Sequence, residues 1–294
     1  CGPPRVALMK GREMRKQALL CGVNKYQIPG ADLRGCVNDV EAMAAVLVDL
    51  FGFDSSDISV MTDDSATTAN LKQGLEDLVA DAAPGDVLYF HFSGHGSNVP
   101  DKNGDEADER DEIFCPHDLD WTAPLLDDWV RTQLDDLPDG VNLTFVSDCC
   151  HSGSITRAIV PPDLQTTRER FLPCPLDLWA AESSRDLRGS YPRGRRPRET
   201  AAAATDVKDV DRTEVLITAC RAEQTSADAI LDGDYYGALT HSLIAALKEA
   251  NGDITYRDLH GQILERLADG GFSQTPQLEG RESRFDRPFL APFT

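Results

Sequence analysis

Two loops in this sequence carry side chains that could work as a nucleophile and its proton partner: a thiol of the pair Cys149-Cys150, and His95. Cys150 lies in Asn142–Ser154, which reads NLTFVSDCCHSGS. Leu143, Thr144, Phe145 and Val146 form an apolar and β-branched run without Gly or Pro, the composition of a buried parallel strand. The run stops at Asp148, Cys149, Cys150 and His151, with small residues through Ser154. A second run, Asp86–Phe92 (DVLYFHF), stops at Ser93-Gly94-His95-Gly96-Ser97. Glycines on both sides of His95 let the backbone turn sharply and approach a ligand. In open α/β sheets ligands bind beyond the carboxyl ends of the strands, so both groups sit where a reactive crevice belongs. A thiolate is a strong nucleophile with an unperturbed pKa of about 8.5. A nearby imidazole can favour the thiolate, or deliver a proton to a leaving amine.

Side chains alternate along a strand, so Asp148 and Cys150 share one face and Cys149 points to the other. Cys149 then reads as a small buried hydrophobe. Zinc held by Cys149, Cys150, His151 and His91 is disfavoured, because adjacent ligands on a strand diverge and no C-x-x-C pair exists. His91, inside its strand, reads as a packed and hydrogen-bonded histidine.

SGHGS at 93–97, DCCHSGS at 148–154 and LRGCVNDV at Leu33–Val40 together resemble three ordered motifs of the metacaspases, within the caspase-like cysteine peptidases. His95 precedes Cys150 by 55 positions, near the spacing of about 50 seen in caspases. The resemblance is strong over Ala18–Ser154 and looser from Thr213 onward. It implies a caspase-like α/β fold, with a mostly parallel central sheet flanked by helices on both faces. It implies Cys150 as nucleophile, His95 as its partner, and the backbone N–H groups of Gly96 and Cys150 as an oxyanion hole. Asp39, Ser93 and Asp148 would line the primary pocket. Two carboxylates there suit a cationic side chain, Arg above all, so cleavage is expected after Arg or Lys and not after Asp. Asp39 also sits in Asn38-Asp39, a good helix cap.

The acidic block Asp101–Glu112 holds seven acids, but its glycine is out of place for an EF-hand. The resemblance offers another calcium site, at Asp111, Asp127 and Asp128. Its fourth acid is replaced by Arg157, whose charge could stand in for the cation. No cofactor is expected to be required, and calcium is an optional ligand.

The elements that must position these groups alternate strand and helix. Strands are expected at Gln17–Val23, Ile58–Met61, Asp86–Phe92, Asn142–Ser147 and Glu214–Ala219, with shorter ones at Glu112–Cys115 and Gln277–Leu278. Helices are expected near Val40–Leu50, from Thr67 or Thr68 to Asp81, and over Asp127–Leu137, Gly237–Glu249 and Thr255–Ala268. The βαβα order argues a mostly parallel sheet. The chain divides into an N-terminal extension (1–16), a large catalytic region (17–154), an Arg- and Pro-rich insert (155–212) and a small region (213–294). The insert lacks periodicity, and such segments are functional or disordered. It carries Arg188, Arg193, Arg195, Arg196 and Arg198, and it could enter its own acidic pocket. Arg188-Gly189 and Arg193-Gly194 are the candidate self-cleavage bonds, since Pro197 makes a poor scissile bond after Arg196.

With 29 Lys and Arg against 50 Asp and Glu, the 294 residues carry a net charge of −21. That balance disfavours nucleic acid and anionic membranes and favours basic protein or peptide partners. No apolar run is long enough to span a bilayer. Eight scattered cysteines lack the spacing of a secreted disulfide framework, so a reducing cytoplasm is expected. A monomer is the expected state. A non-catalytic scaffold of the same fold, binding cationic partners, is the rival reading.

Overall fold

The computed structural model describes residues 12–101, 110–151, 167–176, 178, 206–221 and 224–293. A seven-stranded sheet runs through its centre. In chain order its strands are β1 (Lys16–Gly22), β2 (Ile58–Thr62), β3 (Val87–Ser93), β7 (Asn142–Asp148), β9 (Val207–Asp209), β10 (Glu214–Thr218) and β13 (Gln277–Gly280). Their spatial order is β2-β1-β3-β7-β10-β13-β9, and every neighbouring pair is parallel except β10 with β13. β3 and β7 lie in the middle and are buried at every residue, which is why both read as unbroken apolar runs.

Alternation sends successive side chains to opposite faces. Ala18, Leu20, Tyr89 and Val146 join one core cluster with α1 (Cys36–Phe51), α4 (Ala238–Glu249) and α5 (Tyr256–Asp269). Leu19, Cys21, Phe90 and Phe145 join the other, with α2 (Thr68–Val79) and α3 (Asp127–Leu134). The fold is therefore the expected mixed α/β arrangement with helices on both faces. A short α6 (Glu282–Phe285) follows β13.

Local signals behave as their chemistry dictates, with one exception. Thr67 caps α2, its hydroxyl accepting the Asn70 N–H at 3.2 Å. Gly52, at φ 63°, closes α1 in the left-handed conformation. Asn38-Asp39 is not the cap of α1: the helix starts at Cys36 with Gly35 before it, and no side chain caps it. Asp39 lies inside the first turn and is fully buried, because its carboxylate is used elsewhere.

Two small antiparallel sheets flank the main one. The first is built from β4 (His95–Pro100), β5 (Arg110–Cys115) and β6 (Leu125–Leu126). The second runs β12 (Asp234–Gly237), β11 (Ala227–Leu231), β8 (Thr167–Glu169). β8 and β9 both fall inside the insert that the sequence leaves without periodicity. Arg188 and Arg193 lie outside the described residues.

Candidate active site

β3 and β7 run in register from Val87↔Asn142 to Ser93↔Asp148, so the loops carrying His95 and Cys150 leave the sheet at one edge. They approach so closely that a Cβ on Gly96 would run into the Cys150 carbonyl group. The glycine after His95 is required there by space.

His95 is 5% exposed. Its main-chain N–H donates to the Tyr26 hydroxyl at 2.8 Å, and its Nε2 lies 2.7 Å from the Ala31 carbonyl oxygen. A carbonyl oxygen only accepts, so Nε2 carries the proton and Nδ1 carries the lone pair. Ala31 went unseen in the sequence because a main-chain carbonyl leaves no trace in residue type.

The Cys150 side chain is fully buried. Its Sγ accepts the Ser226 N–H and stands 3.1 Å from the Cys220 Sγ. Burial, and next the Cys220 contact, push this thiol well above its ordinary range. Cys149 faces the other way, as alternation requires. It packs in the second core cluster, 3.2 Å from the Ser147 hydroxyl and 3.7 Å from the His151 Nε2.

Asp39, Ser93 and Asp148 do converge, and a residue the sequence did not single out, Asp228 on β11, joins them. All four are buried. The guanidinium of Arg170, itself 0% exposed, fills the space between them. Its Nη2 lies 2.7 Å from Asp39 and 3.2 Å from Asp228. Its Nη1 lies 3.2 Å from Asp148 and donates to the Ser93 hydroxyl at 2.7 Å. Main-chain donors hold the carboxylates in place. Asp39 accepts the Gly237 N–H at 2.9 Å, and Asp228 accepts the Gly35 N–H at 2.8 Å. Asp148 accepts the Thr240 N–H at 2.9 Å and the hydroxyls of Thr240 and Ser226, each at 2.7 Å. Three carboxylates facing one guanidinium leave negative charge in excess. Burial brings the Asp39 carboxyl up to about 6 against the pull of Arg170, with Asp148 adding to the rise.

The main chain around Arg170 crosses the same crevice as an added strand. β8 pairs antiparallel with β11, Glu169 opposite Ala227, and the Arg170 N–H donates to the Ser226 carbonyl at 2.9 Å. The Arg170 carbonyl oxygen accepts from the N–H groups of Gly96 and Cys150, each at 3.1 Å. Beyond it, the Leu172 N–H donates to the Gly96 carbonyl at 3.0 Å.

The acids proposed for calcium lie on neighbouring elements, joined where Ile113 of β5 pairs with Leu126 just before α3. Asp111 lies on β5, while Asp127 and Asp128 open α3. Asp127 pairs with Arg131 at 3.1 Å. Among the described residues no group of three or more His, Cys, Asp or Glu could hold a metal, and Arg157 lies outside them.

His91 sits under the pocket, its Nδ1 3.1 Å from the Tyr89 hydroxyl and its Nε2 3.2 Å from the Thr240 hydroxyl. Burial lowers its pKa to about 4, against the pull of Asp148. The neutral ring is the native form, so the unfolded chain binds the extra proton between pH 6.5 and about 4. Stability therefore falls as pH drops through that window, by about 3 kcal/mol in full. Asp39 acts in the opposite sense as pH rises from 3.8 to about 6. The His91 contribution is thus expected as the difference in denaturant-derived stability between wild type and His91→Asn across pH 7 to 4. Parallel curves for the two proteins would refute it.

A mostly parallel α/β sheet whose thiol and imidazole loops share one carboxyl edge, beside a buried acidic pocket, defines the class: a caspase-like fold. The profile of the metacaspase, peptidase C14 domain matches residues 16–158. Metacaspase-1 of Coccidioides immitis is 34% identical over 287 residues, covering 90% of this chain and 61% of the relative. Metacaspase-1A of Aspergillus terreus is 33% identical, covering 90% of this chain and 70% of the relative. The chain belongs to the metacaspase family. It thus spans somewhat over half to about two thirds of these relatives' length. The fold is shared with the crystal structure of protein GSU0716 from Geobacter sulfurreducens, at a TM-score of 0.66 and 24% identity over 95% of this chain and all of that one. Among the described residues no helix is long and apolar enough to cross a membrane.

Proposed function

We propose that this protein is a cysteine endopeptidase that cuts peptide bonds after Arg or Lys. One observation carries the reading: the protein's own Arg170 sits with its guanidinium among Asp39, Asp148, Asp228 and Ser93 and its carbonyl oxygen between two main-chain N–H donors. A residue held in that way occupies the position of a substrate's basic residue. Arg matches the box better than Lys, because a planar guanidinium can reach several carboxylates at once.

The chemistry follows from the donors present. His95, its Nε2–H fixed by Ala31, takes the Cys150 thiol proton on Nδ1. The thiolate adds to the scissile carbonyl, and the oxyanion is held by the Gly96 and Cys150 N–H groups. His95 then gives its proton to the departing amine, and water hydrolyses the thioester. With the crevice filled, the Cys150 Sγ is engaged by Ser226 and Cys220, so it must turn toward His95 before attack. Calcium enters none of these steps. Strong activation by added calcium after chelation would reject the replacement of the cation by Arg157.

A fluorogenic peptide ending in Arg is expected to be cleaved, an Asp-terminated analogue not, and Cys150→Ala is expected to be inert. Equal turnover by Cys150→Ala, or cleavage after Asp, would refute the reading. Basic proteins and peptides are the proposed partners, acting from a cytoplasmic monomer. Self-processing within the insert belongs to the same proposal, with Arg188 and Arg193 as sites outside the described residues.

A further inference from the structure

The thiol of Cys150 faces a second thiol, and nothing in the peptidase chemistry uses it. β7 and β10 run side by side in parallel, with Ser147 opposite Thr218 and the Ala219 N–H bonded to the Ser147 carbonyl at 3.0 Å. Just beyond that pair the two chains reach Cys150 and Cys220, whose sulfurs stand 3.1 Å apart. Both are free thiols. Neighbouring strands lie about 4.8 Å apart, inside the Cα separation of about 4.4–6.8 Å that a disulfide spans. Joining these sulfurs therefore asks for no rearrangement of the main chain. Cys149 is not a competing partner, because it points to the other face of the sheet, toward the Ser147 hydroxyl and the His151 ring.

The two sulfurs differ in how they are reached. Cys150 is fully buried while Arg170 is seated, and its thiol is held neutral. A neutral thiol is a poor nucleophile toward oxidants. Cys220 is partly exposed, and it lines a cavity of about 180 Å³ together with Cys149, His151 and Arg221. A water molecule needs about 10–15 Å³ of such space, so a hydroperoxide of a few heavy atoms fits. The Cys220 thiol donates to the Gln224 carbonyl at 3.3 Å, which leaves a sulfur lone pair toward Cys150.

We propose that Cys150 and Cys220 are a reversible disulfide pair, closed by a small hydroperoxide that enters at Cys220 and reopened by a dithiol, with the peptidase off while the bond is closed. The proposal rests on the peptidase reading above, in which Cys150 is the nucleophile. In the first step the deprotonated Cys220 sulfur forms a bond to the terminal oxygen of the hydroperoxide as the oxygen–oxygen bond breaks. The departing oxygen takes up the thiol proton and leaves as water or an alcohol. Cys220, oxidised by two electrons, is then a sulfenic acid. The Cys150 sulfur attacks the Cys220 sulfur, the sulfur–oxygen bond breaks, and hydroxide leaves with the Cys150 proton as water. A dithiol reverses the bond in two exchanges, ending as its own cyclic disulfide with both protein thiols reprotonated. The pair also spares the nucleophile. A sulfenic acid beside a thiol condenses with it, whereas one without a thiol advances to a sulfinic acid that a dithiol does not restore. Disulfides in reducing compartments are of this transient kind.

The test uses the full chain, reduced, freed of reductant and exposed to hydrogen peroxide, with non-reducing peptide mapping beside hydrolysis of an Arg-terminated peptide. Wild type is expected to lose its activity completely, to yield peptides linked through Cys150 and Cys220, and to recover fully in dithiothreitol. Cys149→Ser is expected to behave in the same way. Cys220→Ser is expected to form no link and to lose activity that dithiothreitol does not restore, with Cys150 found as a sulfinic or sulfonic acid. Mapping of wild type decides the matter by itself if a variant fails to fold. Cys150 linked to Cys149 or to a second chain, or oxidised without a link, would overturn the proposal, as would full recovery of oxidised Cys220→Ser. A reduced wild type that cleaves no Arg-terminated peptide would remove the peptidase reading instead, and the mapping would still show whether the pair closes.

Discussion

Replacing His95 by alanine is expected to lower kcat/KM toward Arg-terminated peptides by about 10³-fold or more, with the fold retained. The size follows from the ring's role in moving two protons, since a positioned general acid and base contributes about 10²–10⁴-fold. The retention of fold follows from which atoms hold this residue. The His95 main-chain N–H keeps its bond to the Tyr26 hydroxyl, and β4 keeps its pairing with β5. The ring itself contributes the contact with Ala31 and a tilted packing on Tyr26, with centroids 5.0 Å apart. Losing them should cost stability far less than activity. Steady-state kinetics beside thermal denaturation separates the two, and a loss below tenfold in a folded variant would remove His95 from the proton transfers.

The second large effect is expected at Asp148. Asp148→Asn should reduce the preference for Arg over citrulline, its neutral isostere, by about 10²-fold. A buried charge-assisted contact that is lost costs about 2–5 kcal/mol, and each 1.4 kcal/mol is tenfold. The ratio of the two substrates is the proper readout. It cancels any change in the fraction of molecules whose crevice is open. Asp39 and Asp228 remain to hold part of the charge, so the preference should shrink and not reverse. Some stability is expected to go as well, because Asp148 accepts from Thr240 in the first turn of α4 and from Ser226 before β11. An Arg-to-citrulline ratio unchanged in a folded Asp148→Asn would remove Asp148 from the pocket.

Both experiments depend on residues that differ in how far a linear reading reaches them. β3 and β7 are legible because a strand buried on both faces needs an unbroken apolar run. The ends of those runs display Ser93, His95, Asp148 and Cys150 for the same reason: polar groups begin where the sheet stops. Alternation alone assigned Cys149 to the opposite face. Helix α2 was legible from its cap and its apolar spacing. The end of α3 was overestimated by three residues: the Asp135 N–H still bonds to the Arg131 carbonyl, but the Leu137 N–H reaches back only to Leu134, a tighter turn that ends the helix before Pro138.

The rest of the site had no such signature. Arg170 lies in a segment whose composition reads as linker, and its partners Asp39 and Asp228 are 131 and 58 positions away. β8 is three residues long, too short to show a period, and exists because β11 offers it an edge. Asp228 looks like any surface acid until Gly35 and Arg34 bring their N–H groups to it. Ala31 acts through a carbonyl that every residue possesses.

What the sequence determined by itself was the repeating part, the sheet and helix order together with the residues ending its two central strands. Periodic burial writes that information into neighbouring residues. What only the tertiary structure decided was the occupant of the acidic box and the group that fixes the His95 tautomer. Those depend on one main-chain carbonyl and one buried charge meeting partners from distant parts of the chain. Such meetings are settled by how the layers pack, because a buried charge is tolerated only where packing has already assembled its counter-charges.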